Sequence, residues 1–114
     1  MADDVLQLLE YVDAAGRSPF GNWFRRLNPT AAAKVTVALY RLAHSNFSNV
    51  KGVGAGVYEY KIDFGPGYRV YFGKDGDHII ILLGGSEKKR QGIAISNAQT
   101  AWARYKKQKT TDMD

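Results

Sequence analysis

Apolar residues recur with helical spacing in three segments of the chain. The first segment follows Ser18-Pro19, which supply an N-cap and a proline at the first helical position, and the second follows Asn28-Pro29 in the same way. The third lies near the C-terminus and has a basic end. The apolar positions are, in order, Phe20, Trp23, Phe24 and Leu27; Val35, Leu39 and Leu42; and Ile95, Ala98, Trp102 and Tyr105. This spacing predicts a helical hairpin and one C-terminal helix.

Other segments have the alternating or continuously apolar character of β-strands. The predicted strands cover residues 5–12, 58–64, 68–72 and 78–83. Gly65-Pro66-Gly67 and Asp75-Gly76 are turn sequences between them, Gly84-Gly85 ends the last strand, and the Ser-, Asn- and Gly-rich residues 45–56 predict a loop.

The order of these elements is β-α-α-β-β-β-α, which predicts a single α+β domain. We expect the helical hairpin and the C-terminal helix to pack on a small, largely antiparallel sheet. The domain is predicted to span residues 1–109, and residues 110–114 are expected to form a frayed, disordered tail.

The turn at Gly65-Pro66-Gly67 predicts a register for the hairpin around it. If the turn has three residues, Phe64 lies opposite Tyr68, and the face that carries these two residues is apolar and packs on the core. The other face is then polar and exposed. It carries Glu59, Lys61, Asp63, Arg69 and Tyr71, with Lys61 opposite Tyr71 and Asp63 opposite Arg69.

Composition narrows the chemistry that these 114 residues can perform. The chain has no cysteine, which excludes disulfides, thiolate nucleophiles and cysteine-bound zinc. His44 and His78 fall on separate elements and the acidic residues are scattered, so we expect neither a metal ion nor a cofactor. The longest apolar run, residues 79–83, is too short to span a bilayer, and the acidic start lacks the basic segment of a secretory signal, which favours a cytoplasmic protein.

Positive charge is concentrated near the C-terminus. The chain carries a formal charge of +5, and residues 86–109 alone contain seven basic residues against one acid, Glu87. The basic residues are Lys88, Lys89, Arg90, Arg104, Lys106, Lys107 and Lys109. An anionic partner is one explanation, and a solvated helix end that favours the helix dipole is the other.

The polar face of the hairpin and the cluster that follows the last strand could together bind a phosphodiester. Lys61, Arg69, Tyr71 and Lys88 are the candidate catalytic residues, and the candidate RNA-binding residues are Lys89, Arg90, Arg104, Lys106 and Lys107. Cleavage of RNA without metal requires a base for the 2′-hydroxyl, which suits Lys61 if its pKa is lowered. It also requires a cation at the phosphorane, which suits Arg69, and a proton donor, either Tyr71 or Lys88.

The same residues have an ordinary structural interpretation. Opposed charges such as Asp63 and Arg69 are common as weak cross-strand pairs on a half-exposed sheet, and tyrosine is a good strand residue. Pattern alone favours this second interpretation.

Two longer stretches resemble a known family of toxins. Residues 56–72 read GVYEYKIDFGPGYRVYF and residues 82–91 read LLGGSEKKRQ. In these stretches the sequence resembles the RelE/ParE toxin superfamily and, more narrowly, its phage-derived Gp49-like, HigB-type branch of addiction module killer proteins. Arg69 matches the arginine after Gly-Tyr, and Lys88 matches the basic residue after the Gly-Gly strand end. The sequence departs from the branch at Lys61, where arginine is usual, and at Ala94, where aspartate is common.

The resemblance implies a toxin of a type II toxin–antitoxin pair, held inactive in an oligomer with a cognate antitoxin that is often a helix-turn-helix DNA-binding protein. The leading hypothesis is a metal-independent endonuclease that cleaves mRNA on the ribosome. One alternative is a non-enzymatic inhibitor of DNA gyrase, as on the ParE side of the superfamily. Another is an attenuated toxin that only binds its antitoxin.

Overall fold

Five strands form one mixed sheet, and helices pack on both of its faces. The computed structural model describes residues 5–113; the acidic start, residues 1–4, and Asp114 of the predicted tail lie outside the described residues. The elements are β1 (Gln7–Glu10), α1 (Pro19–Arg25), α2 (Pro29–Ala43), β2 (Val50–Gly52), β3 (Tyr58–Ile62), β4 (Tyr68–Asp75), β5 (Ile79–Glu87), a 3₁₀ turn (Lys88–Arg90) and α3 (Gln91–Met113). Across the sheet the strand order is β1-β5-β4-β3-β2. Among the strands of residues 5–113, β1 alone runs parallel to its neighbour, so the predicted α+β fold with a largely antiparallel sheet is confirmed.

Each face of the sheet has its own apolar core. On one face, α1 and α2 contribute Phe20, Val35 and Leu42, which pack with Val70 and Phe72 of β4. On the other face, α3 packs against the alternate strand positions, and its Ala98, Ala101 and Trp102 form a cluster with Tyr71, Ile81 and Leu83. The central strands β4 and β5 are therefore buried on both sides.

The starts of α1 and α2 were correctly predicted because local hydrogen bonds determine them. The Ser18 hydroxyl accepts from the Gly21 amide at 2.9 Å, and the Asn28 side-chain oxygen accepts from the Ala31 amide at 2.9 Å. Each cap satisfies one of the amides that a helix start leaves without an intrahelical partner.

Two tryptophans pack on glycines of the central strands, one on each face of the sheet. An added Cβ would lie 2.2 Å from Cε3 of Trp23 at Gly85 and 2.5 Å from Cε3 of Trp102 at Gly73. The prediction that Gly84-Gly85 ends the strand was wrong, since β5 continues to Glu87. Gly85 is a strand residue that accommodates the indole of α1. The pairing of β5 with β4 continues on both sides of Gly85, with a register irregularity between Tyr71 and Phe72.

The other differences from the sequence prediction concern pairing. The predicted loop at residues 45–56 contains β2, which pairs with the first half of β3. The hairpin register was also wrong, because the Gly67 amide donates to the Phe64 carbonyl at 2.9 Å and moves Phe64 into the turn. Lys61 therefore lies opposite Arg69 and not opposite Tyr71. This shift is two residues, so every side chain keeps its predicted face.

The C-terminal helix is tied to the end of β4. α3 extends to Met113, past Lys109, where a frayed tail was expected. Asp75 accepts hydrogen bonds from the Tyr105 hydroxyl at 2.5 Å and from the Lys109 ammonium. The bonds from Lys109 and then Tyr105 lower the pKa of Asp75, while burial and the Asp75 carboxylate raise the pKa of Tyr105 to about 12. Within residues 5–113, none of the helices has the length and apolar character to cross a membrane.

We predict that Gly85→Ala destabilises the protein by about 1–3 kcal/mol, because the new methyl group overlaps the Trp23 indole and forces the core to shift. The matched control is Gly84→Ala in the same strand, where an added Cβ meets no heavy atom within 4 Å. Urea unfolding of both variants provides the comparison. Equal stability of the two would show that Trp23 does not require a glycine at this position.

We predict that Asp75→Asn lowers stability most at neutral pH. The folded pKa of Asp75 lies below its unfolded value of about 3.9, so its stabilising effect is full above that pH and is lost as the pH falls through the folded pKa. The stability difference between wild type and variant should therefore be constant from about pH 7 to pH 5 and shrink towards pH 3. A difference that grows on acidification would contradict this assignment.

Candidate functional site

The four candidate catalytic residues lie at one end of the sheet, where β3, β4 and β5 meet the 3₁₀ turn. Lys61 and Arg69 are register partners, and Tyr71 lies two residues farther along on the same face. Lys88 follows β5 directly, and its amide donates to the Gly67 carbonyl at 3.0 Å. The prediction that Lys61, Arg69 and Tyr71 share one face is confirmed by this register.

The prediction that this whole face is exposed was wrong. Arg69 is only 4% exposed and Tyr71 is fully buried, whereas Lys61 and Lys88 are exposed. Arg69 is enclosed by the turn before β4: an added Cβ on Gly67 would lie 3.6 Å from Nη1 of Arg69 and 3.3 Å from Cβ of Lys88. The candidate site is therefore two exposed lysines above a buried arginine and tyrosine.

The buried residues belong to a polar cluster that also includes Glu59, Ser86 and Gln91, and we call these five residues the buried polar cluster. Oε1 of Glu59 lies 3.6 Å from Nε of Arg69, and Gln91 at the start of α3 donates to the other Glu59 oxygen at 2.6 Å. The hydroxyls of Tyr71 and Ser86 lie 3.2 Å apart. The cluster thus joins β3, β4 and β5 to the first turn of α3.

The ion pair inside this cluster is incompletely satisfied. The Arg69 guanidinium donates from Nη1 to the Tyr68 carbonyl at 3.1 Å, but its buried Nε–H has no hydrogen-bond acceptor among the described residues. Leaving a buried donor unpaired costs about 1–3 kcal/mol, or more for a charged group. Glu59 also lies 3.8 Å from Nζ of the exposed Lys51, so two cations share one buried carboxylate.

Tyr71 remains protonated at neutral pH. Burial raises the pKa of Tyr71, the hydrogen bond with Ser86 opposes this effect, and the Glu59 carboxylate adds to it, so that the pKa is about 12. Because its side chain is fully buried, Tyr71 does not contact a substrate in this conformation. Of the two proposed proton donors, Lys88 is the accessible one.

Lys61 remains available to a ligand. Its Nζ lies 3.7 Å from Oδ1 of Asp63, and both side chains are more than half exposed. Such surface pairs contribute well under about 1 kcal/mol, so an anionic ligand can displace Asp63.

The candidate RNA-binding residues fall into two separate groups. Lys89 and Arg90 are exposed on the 3₁₀ turn beside Lys88. The second group, Arg104, Lys106 and Lys107, is also exposed but begins about 20 Å farther along α3, at 1.5 Å per residue. The ammonium of Lys106 lies 5.6 Å from the centroid of the Trp102 ring. Only the first group adjoins the candidate site.

Sequence reasoning assigned no role to Glu59, Ser86 and Gln91. The alternation of β3 predicts an exposed position for Glu59, because it identifies the face of a residue but not what covers that face. The available signal was Gln91, which lies in the 82–91 stretch quoted for the family resemblance. Across residues 5–113 no three acidic or histidine side chains are grouped as metal ligands would be.

Comparisons with known proteins identify the family of this chain. Residues 22–106 match the family described as Phage derived protein Gp49-like (DUF891). An uncharacterized protein of Haemophilus influenzae is 38% identical over 81 residues, which cover 70% of this chain and 82% of that relative. The family match runs from α1 into α3 and includes the buried polar cluster, Lys61 and Lys88. The chain therefore belongs to the Gp49-like family, which is part of the RelE/HigB-like toxin group and is associated with toxin–antitoxin systems.

Proposed function

We propose that this protein is the toxin of a type II toxin–antitoxin pair and that it cleaves mRNA on the ribosome without a metal ion. The observation that carries the proposal is the position of Lys61 and Lys88, which lie exposed at the end of the sheet that encloses Arg69. Membership of a family associated with toxin–antitoxin systems supports the biological role.

The proposed reaction is a transesterification within the RNA. The side-chain amine of Lys61 takes the proton of a 2′-hydroxyl as the 2′-oxygen forms a bond to the adjacent phosphorus. The bond from phosphorus to the 5′-oxygen then breaks, and the ammonium of Lys88 donates a proton to that oxygen. The products are a 2′,3′-cyclic phosphate and a 5′-hydroxyl end, so no water, metal or cofactor enters this step.

Arg69 acts in this proposal from beneath the reacting groups. Its guanidinium is enclosed by Gly67, Lys88 and Glu59, so it does not touch the phosphate in this conformation, and the Glu59 carboxylate 3.6 Å from its Nε offsets part of its charge. Charge in such a poorly hydrated position interacts more strongly with the phosphorane than an exposed charge does. Direct contact would require residues 63–67 or the 3₁₀ turn to move.

The burial of Arg69 and Tyr71 favours a second candidate, a toxin without RNA chemistry. In that case the pair of Glu59 and Arg69 is a structural ion pair, and the exposed lysines bind a protein. A ParE-like inhibitor of DNA gyrase and an attenuated, antitoxin-binding module both fit this description.

The proposed partners follow from the same surface. A neutralising antitoxin would cover Lys61 and Lys88, and its helix-turn-helix part would remain free to bind DNA. Ribosomes and mRNA would be the targets of the free toxin, which places its action in the cytoplasm.

We predict that Lys61→Ala and Lys88→Ala each reduce mRNA cleavage in a translating extract by at least about 100-fold, which is the usual contribution of a general acid or base. Both side chains are exposed, so the variants should keep the stability of the wild type. The measurement is primer extension across the breaks, with identification of 2′,3′-cyclic phosphate ends.

The matched control is Arg17→Ala, which removes an equally exposed cation from the loop before α1. It should cleave like the wild type. If wild-type protein leaves mRNA intact and blocks DNA supercoiling, the endonuclease proposal is wrong and the protein is a gyrase inhibitor.

We predict that Glu59→Leu destabilises the protein by about 3–5 kcal/mol, because it leaves the charge of Arg69 buried without its carboxylate. The double variant Glu59→Leu/Arg69→Met should recover most of this loss, since an apolar pair of similar volume suits a buried position. Chemical denaturation measures both.

The same double variant tests the role of Arg69, because it removes the charge without leaving a buried ion unpaired. If it is folded and inactive in the cleavage assay, the charge of Arg69 is needed for the chemistry. Full cleavage by the folded double variant would make the ion pair purely structural.

A further inference from the structure

A concave surface lies between α2 and β3, on the α2 side of the sheet. It encloses about 490 Å³, and we call it the α2 pocket after the helix that forms one wall. Its polar and aromatic lining consists of Lys34, Arg41, Asn49, Tyr60, Lys61, Asp63 and Phe64. The last register pair of β2 and β3 is Val50 with Tyr60, and the Lys61 amide donates to the carbonyl of Asn49, which also lines the pocket, at 3.0 Å.

The α2 pocket is strongly cationic. Lys34 and Arg41 place two cations along the α2 wall. The β3 wall includes Lys61, whose side chain lies on the α3 face of the strand at the edge of the pocket, and the one acid in the lining is Asp63. Asp63 is 79% exposed and already lies near Lys61, and it cannot neutralise the other two cations. Lys34 and Arg41 did not stand out in the sequence because they lie in a helix far from the basic residues 86–109.

An aromatic ring lies within the same pocket. Phe64 is half-buried, and the ammonium of Lys34 lies 5.0 Å from the centroid of its ring. A cation over a ring at an exposed site is held weakly. A nucleobase can therefore take the place of Lys34 on Phe64, which frees the ammonium for a phosphate. Cations that follow the backbone, together with a ring that stacks a base, are the combination by which proteins bind single-stranded nucleic acid.

We propose that the α2 pocket binds a nucleotide of single-stranded RNA next to the cleaved bond, with its base on Phe64 and its phosphates at Lys34 and Arg41. This inference rests on the proposed function, because Lys61 lines the pocket and is also the proposed base. A strand whose 2′-hydroxyl lies at Lys61 continues from there into the pocket. The volume is within the range of sites that hold a small ligand, and an acidic peptide would have no need of a stacking surface.

The test measures binding without ribosomes and without cleavage. A fluorescein-labelled 12-mer of 2′-O-methyluridine lacks the hydroxyl that the reaction needs, and its affinity is followed by anisotropy between about 50 and 300 mM KCl. Removal of two phosphate contacts in Lys34→Gln/Arg41→Gln should reduce the slope of log affinity against log salt by about 1.4. Phe64→Leu should weaken binding by at least about fivefold and leave that slope unchanged.

The control is Arg17→Gln, which removes one exposed cation outside the pocket and should change neither the slope nor the affinity. Decaglutamate serves as the competing class of ligand. The inference is overturned if wild type does not bind the oligonucleotide at 50 mM KCl, if the pocket variants bind it like wild type, or if they lose decaglutamate and keep the oligonucleotide.

Failure of the proposed function would look different. If wild type cleaves no mRNA but its oligonucleotide binding depends on Lys34, Arg41 and Phe64, the pocket is an RNA site and the endonuclease proposal fails. If mRNA is cleaved and the pocket variants bind like wild type, the endonuclease stands and the pocket has no part in RNA binding.

Discussion

On each face of the sheet, one indole packs on one glycine, and these two contacts determine where α1 and α3 lie on the sheet. Trp23 and Trp102 lie flat on Gly85 and Gly73, so α1 and α3 approach β5 and β4 more closely than any side chain at these positions would allow. Because the two strands are neighbours, the two contacts clamp the central pair from opposite sides. Protein interiors are close-packed, and a helix held at such a contact has little freedom to shift.

The position of α3 determines which residues of the candidate site reach solvent. With Trp102 on Gly73, the first turn of α3 brings Gln91 to Glu59, and the 3₁₀ turn brings Lys88 over Gly67 and the Arg69 guanidinium. The strand face that carries Arg69 and Tyr71 is therefore buried beneath α3, and the same face is exposed at Lys61, which α3 does not cover. The packing of α3 on the sheet therefore buries Arg69 and leaves Lys61 and Lys88 exposed, although all three residues lie at the same end of the sheet.

Local signals predicted the parts of this structure that local interactions determine. Ser18 and Asn28 cap helices through hydrogen bonds three residues away, and the alternation of β3 and β4 assigned each residue to the correct face. The errors arose where a distant partner decides the outcome. The sequence predicts that β5 ends at Gly84-Gly85. The residue that requires a glycine at position 85 is Trp23, which lies more than sixty positions earlier in the chain.

The candidate site was predictable to the same extent. Sequence and resemblance identified Lys61, Arg69, Tyr71 and Lys88, and the structure places all four at one end of the sheet. Neither could show that Glu59 and Gln91 enclose Arg69, since a strand pattern has no information about the helix packed on it. The α2 pocket was missed for a related reason, because Lys34, Arg41 and Lys61 meet only in the folded chain.

Stability alone does not account for the charges at this end of the sheet. An apolar pair would suit the buried positions of Glu59 and Arg69 at least as well as an ion pair whose Nε–H has no acceptor. Arg69 and Lys51 share the Glu59 carboxylate, and further positive charge at the same end of the sheet and in the adjoining pocket comes from Lys61, Lys88, Lys34 and Arg41. Such cations repel one another in the free protein, and a polyanion lying across them relieves that repulsion. The proposed binding of RNA would therefore account for charges that the stability of the isolated fold does not require.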